Sequence, residues 1–284
     1  LRFITFGEES SAQIDKVDFY DFQEKSGNGN VILIEELASN IELNNCNFYN
    51  CGTRGYAIQI FGSLCQMHSC DFTFNDRTRS CSAIEILGNS KIPIAIDFMI
   101  LSFINCSSKS DGGAIFFHKT GISSLEQRFT LSECLFETNQ ASINGGAICL
   151  SRIKKEMNLY ISIYTSEFTS NKCGNYGGAI YLHYETDGET ECLFSKTNPW
   201  FELKSNYFTR NQAGNYGHVL YINDICQENI YLFQINTYID NYNEELENNY
   251  VIVSKKLSLD LTDEVFNNND PDVNVLPILY LDDD

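Results

Sequence analysis

The chain has 284 residues, with 38 acidic against 19 basic side chains and a net charge of −19. That balance argues against nucleic acid or an anionic membrane surface as a direct partner and otherwise gives a long molecule solubility. Only four prolines occur and no Gly/Ser linker divides the chain, so residues 1–284 are expected to form one domain.

In chain order the segments repeat one phrase. Phe48 and Cys51 precede Gly55-Tyr56-Ala57-Ile58, and Phe72 and Asn75 precede Ser82-Ala83-Ile84. Phe103 and Cys106 precede Gly112-Gly113-Ala114-Ile115; Phe136 and Asn139 precede Gly145-Gly146-Ala147-Ile148. Phe168 and Asn171 precede Gly177-Gly178-Ala179-Ile180, and Phe208 and Asn211 precede Gly217-His218-Val219-Leu220. From Phe72 onward the aromatic stands eleven residues before the Ala or Val of its phrase. Phe19, Tyr238 and Phe266 extend the column, giving about nine units, clear over 46–222 and degenerate over 1–45 and 223–284. Recurrence at about thirty residues defines a stacked repeat whose terminal units differ from internal ones.

Within each unit the apolar runs are short, alternating and β-branched or aromatic, as in Leu159-Tyr160-Ile161-Ser162-Ile163 and Tyr250-Val251-Ile252-Val253, and turn residues bound them. This predicts an all-β parallel β-helix, a solenoid with strand, turn, strand and turn in each coil; a β-sandwich with chance repeats is the alternative. Coils at the usual strand spacing of ~4.8 Å stack like residues on like. Phe and Ile then form inward ladders. The Asn three after the aromatic fits a left-handed bend or an amide ladder. Gly-Gly fits a corner with positive φ, where small Ala permits close packing.

At FxxN and GGA[ILV] the chain resembles the repeats of the polymorphic outer membrane proteins of chlamydiae. Phe103 with Gly112 to Ile115, Phe136, Asn139 and Gly145 to Ile148, and Phe168, Asn171 and Gly177 to Ile180 carry the resemblance. It is also similar to large families of such repeat proteins in protists, which the Asn, Ile and Tyr richness fits. The resemblance implies a right-handed parallel β-helix, surface or secreted placement, and adhesion or scaffolding. The sequence has no signal peptide, C-terminal barrel or apolar run of ~20 residues, so no membrane insertion is expected from this segment. A start at Leu1 fits a removed leader or a fragment of a longer chain.

Eleven cysteines are many for a cytosolic protein, yet no spacing suits zinc, and no cofactor motif appears. Cys46, Cys70 and Cys134 each lie two before their Phe. Stacking makes Cys46 and Cys70 candidates for a disulfide, with small apolar core residues as the alternative. Asn105 in Asn105-Cys106-Ser107 is a candidate glycosylation site at an accessible turn. Arg152-Ile153-Lys154 and His218 read as accidental echoes of polygalacturonase motifs; Arg152 is placed at the entry to a loop and His218 as a substitute for the second Gly. His118 and His183 share an offset, which places them two coils apart with Ser151 between. Inserts at 118–127 and 183–200 are expected on one face, and Trp200 is a candidate partner contact.

The function expected is a non-enzymatic surface or extracellular scaffold, adhesin-like, binding a protein or glycan through its faces or ends. A pectin-lyase-like carbohydrate-active enzyme and an intracellular component of a larger assembly are the alternatives.

Overall fold

A computed structural model describes residues 2–7, 9–21, 30–35, 38, 40–51, 55–62, 64–74, 82–88, 95–119, 127–154, 159–185, 201–223, 230–234, 236–239, 241, 251–253, 258–262 and 265–267. Among the described residues, alternating apolar positions form strands and no segment is helical. Each coil contributes one strand to each of three nine-stranded sheets, and four coils add a strand to a fourth sheet. Every pairing is parallel, and each strand meets its equivalent one coil away, so the molecule is a parallel β-helix of nine coils. A coil therefore has three sides, or four in the middle, where the sequence suggested two strands per coil.

The repeat phrase maps onto this frame. In the first sheet Ile4, Ile32, Ile58, Ile84, Ile115, Ile148, Ile180, Leu220 and Val251 stand in one column. In the third sheet all nine expected aromatics, from Phe19 to Phe266, are in register. The rings of Phe19, Phe48, Phe72, Phe103, Phe136, Phe168, Phe208 and Tyr238 stack with centroids 4.6–5.3 Å apart. The strand spacing fixes that distance, and each stacked pair is worth roughly 0.5–1.5 kcal/mol beyond its burial.

The three-residue aromatic strand is bent at both ends. Asn45, Ser69, Ile100, Glu133, Thr165 and Ser205, three before their aromatics, have φ of 48–57°. Asp21, Asn50, Asn105, Thr138, Ser170 and Arg210, two after theirs, have φ in the same range, 48–57°. The left-handed bend thus falls one residue before the Asn to which the sequence reading assigned it. Backbone bonds to the next coil, such as Thr138 N–H to the Thr169 carbonyl at 2.9 Å, hold these bends against a cost of about 1–2 kcal/mol each.

The residue after each bend points inward, and where it is asparagine it forms a polar ladder. Asn139, Asn171, Asn211 and Asn241 make one ladder, fully buried. The Asn171 Oδ1 accepts the Asn139 backbone N–H at 3.0 Å and its Nδ2 at 2.9 Å. The Asn171 Nδ2 in turn donates to the Phe136 carbonyl at 3.0 Å and to Asn211 Oδ1 at 2.9 Å. Asn206 and Asn236 repeat the arrangement at the other bend. Asn75 lies outside the described residues.

The Gly-Gly corner has two separate causes. Gly112, Gly145, Gly177 and Gly217 have φ of 64–72°, which strains any L side chain. Gly113, Gly146 and Gly178 face the next coil: a Cβ on Gly146 would stand 2.1 Å from the Gly178 carbonyl oxygen. His218 takes this second position in the last coil that feeds the fourth sheet. Its buried ring turns under the strand, and Nδ1 accepts the Ala213 N–H at 3.0 Å. An imidazole nitrogen thereby stands in for the carbonyl of a further rung, and this bond requires Nδ1 to be unprotonated.

Candidate functional site

Inward side chains are consumed by stacking, so chemistry must come from outward ones. The first sheet gathers these. One outward column runs Leu33, Gln59, Glu85, Phe116, Cys149, Tyr181, Tyr221. The next outward column places Leu87, His118 and Ser151 side by side. A register shift between Leu150 and Ile153 follows, so Ser151 and Arg152 bulge opposite the rung of His183. The expected alignment of His118 with Ser151 is present, but the bulge interrupts it before His183. Arg152 is the exposed bulge residue, with φ of 55°, inside a strand that runs on to Lys154 rather than at the entry to a loop. Bulges re-aim side chains in this way.

Toward the N-terminal coils the face carries a chain of polar contacts. Asn30 Nδ2 donates to Gln59 Oε1, and Gln59 Nε2 donates to Glu85 Oε2. Glu85 Oε1 meets His118 Nε2 at 3.3 Å, and the His118 ring stacks on Phe116 with centroids 4.8 Å apart. Glu85 is buried, and both of its oxygens are engaged, as a buried carboxylate requires.

Toward the C-terminal coils the same face becomes aromatic. Tyr176 and Tyr216 bridge as neighbours at the corner between the fourth and first sheets. Tyr176 stacks on Tyr221 at 4.6 Å and on Tyr216 at 6.2 Å, and Tyr181 stacks on Tyr221 at 5.8 Å, with His183 beside Tyr181. Equivalent positions in earlier coils hold Asp111 and Asn144, or Glu85 and Cys149, so the repeat itself does not demand tyrosine. Burial raises the Asp111 carboxyl above its ordinary value, against bonds from Asn144 and the influence of His183.

The strands that bracket both inserts end at Lys119 and Glu185 and resume at Gln127 and Phe201, so both inserts span the corner between the first and second sheets. Trp200 lies outside the described residues. Asn105 is half-buried, and its Oδ1 accepts the Thr138 hydroxyl at 2.7 Å, while the Ser107 hydroxyl is buried. The sequon is therefore tied into the coil rather than displayed.

Cys46 and Cys70 sit one rung apart as expected but as free thiols, like every described cysteine. The Cys46 N–H reaches Cys70 Sγ at 3.4 Å, and each thiol points at carbonyls: Cys46 at Ile14 and Asn44, Cys70 at Leu43 and His68. Cys51, Cys106 and Cys134 do the same. These thiols occupy the asparagine positions of the two polar ladders. Burial pushes Cys65, Cys134 and Cys173 up to about 12, which keeps them protonated and weakly nucleophilic.

Among the described residues no group of three or more His, Cys, Asp or Glu could hold a metal ion, and no helix is long and apolar enough to cross a membrane.

The fold is that of a parallel β-helical repeat protein. Residues 133–151 and 165–183 match the Chlamydia polymorphic membrane protein (Chlamydia_PMP) repeat. Each match spans an inward polar residue, the stacked Phe, the Asn ladder and the Gly-Gly-Ala-Ile strand. Two stretches of the chain are thus similar to that repeat. No curated protein matches it.

Proposed function

We propose that this chain is a non-enzymatic, adhesin-like scaffold displayed at a cell surface, which holds a protein or glycan partner on the outer face of its first sheet. One observation carries the reading: stacking accounts for the inward residues, whereas this face collects tyrosines, histidines and a buried carboxylate in positions that the repeat leaves free. The matched repeat class supports surface placement. The test is antibody labelling of intact against permeabilised cells, together with binding of the purified chain to cell surfaces. Labelling only after permeabilisation overturns the reading, as does cleavage of acidic polysaccharides by the purified chain with or without calcium.

The free thiols favour a second reading, an intracellular structural assembly. Thiol counting on denatured protein from its natural source separates the two. All eleven cysteines reactive supports the reducing compartment, and few reactive supports the outside.

A further inference from the structure

The tyrosine cluster has a shape that selects among ligands. Tyr176 and Tyr216 lie within 13° of parallel, Tyr181 and Tyr221 within 11°, and Tyr176 and Tyr221 within 29°. Rings so aligned make a stepped shelf and not the box of crossed faces that encloses a quaternary ammonium ion. Tyr216 is 49% exposed, so the outermost step is open, while Tyr181 is buried and holds the shelf from behind.

Asn175 and Asn215 stand on neighbouring rungs beside the rings, linked by the Asn215 N–H to the Asn175 carbonyl at 2.8 Å. Among the described residues their side-chain amides have no hydrogen-bond partner, Asn175 is half-buried and Asn215 exposed. Among the described residues no lysine or arginine belongs to the ring cluster, and the chain as a whole is anionic at −19. A polyanion is therefore repelled, and a cation would gain no enclosing cage.

We propose that the shelf of Tyr176, Tyr216 and Tyr221 binds a neutral glycan. The flat C–H face of a pyranose ring covers the open tyrosine step, and the Asn175 and Asn215 amides pair with its hydroxyls. Tyr176 and Tyr216 stand on neighbouring rungs at the coil spacing of ~4.8 Å, which suits a glycan of two or more residues lying along the solenoid axis better than a single sugar. The inference deepens the surface-scaffold reading and takes its adhesive character from it.

The test is calorimetric titration of the purified chain with neutral oligosaccharides of glucose, galactose, mannose and N-acetylglucosamine, with polygalacturonate as the charged control. Saturable binding of at least one neutral oligosaccharide is expected, growing with chain length. Tyr216→Ala should weaken it at least tenfold and Tyr216→Phe should retain it. Tyr207→Ala, at an equally exposed ring on the third sheet, should leave it unchanged. Absence of neutral-glycan binding overturns the proposal, as does binding that survives both Tyr216→Ala and Tyr176→Ala. Cell-surface binding through a protein or a charged glycan sinks this inference and leaves the scaffold reading standing. Tyr216-dependent glycan binding by a chain found only inside cells does the reverse.

Discussion

The N-terminal and C-terminal coils follow one backbone path with different chemistry at their bends. After the aromatic strand the ladder reads Cys51 and Cys106 in early coils, then Asn139, Asn171, Asn211 and Asn241. Before that strand it reads Cys46, Cys70, Leu101, Cys134 and Ser166, then Asn206 and Asn236. An asparagine accepts from the coil below and donates both downward and upward. A thiol donates weakly to a carbonyl and links rungs little. The bend survives the exchange because left-handed residues set it, such as Asn45 in a thiol coil and Thr165 in the coil of Ser166. The side chain that follows decides how tightly one coil is tied to the next. Amide chains that polarise one another strengthen this tie, so the C-terminal ladders should be the more cooperative.

That contrast can be broken. Asn171→Ala leaves the Asn139 N–H and the Phe136 carbonyl buried without their partner and cuts the ladder in its middle. A loss of about 3–5 kcal/mol is expected, measured by denaturant unfolding or by hydrogen exchange of the flanking strands. Asn139→Cys keeps a small buried polar group and should cost about 2 kcal/mol, the difference between the two kinds of rung. The reverse exchange, Cys106→Asn, faces the Phe72 carbonyl below and Asn139 above, both already in place, and should stabilise by about 1 kcal/mol.

A smaller effect separates the halves by pH. Burial raises the Cys134 thiol from its ordinary 9.0 to about 12, so the folded state favours the protonated form. The stability this contributes is complete below pH 9.0 and is lost as pH rises toward about 12. Far-UV dichroism during alkaline titration should show Cys134→Ser losing structure later than the parent chain. An unchanged midpoint would show that buried thiols do not set the alkaline limit.

What could be read from the sequence follows from what repeats. The Phe and Ile columns were legible because an inward position admits few residues and recurs in every coil, down to Phe19 and Phe266. The amide ladder was half legible: Asn139 and Asn171 were found, but the left-handed residue was placed on them instead of on Thr138 and Ser170. Many residue types occupy that bend (Asp, Asn, Thr, Ser and Arg all occur), so no single letter marks it. The equivalence of Cys46, Cys70 and Cys134 was visible, whereas their role in place of asparagine needed the carbonyls of the coil beneath. The outward face was illegible. Glu85, Tyr181 and Tyr221 share a column only after five coils are set in register, and their letters do not repeat. His218 reads as a flaw in the phrase because its bond to the Ala213 N–H shows only in the folded coil.

The hydrogen bonds between coils all point along the axis of the solenoid, and its first and ninth coils stand at opposite ends. A tether pulled from those ends loads the bonds in series as tension, not in parallel as shear, so the molecule yields rung by rung, like a zip. The asparagine ladders are reinforcing cords through the C-terminal rungs. Mechanical failure should begin among the thiol coils, making the N-terminal half a built-in extensible segment for anything the protein holds on to.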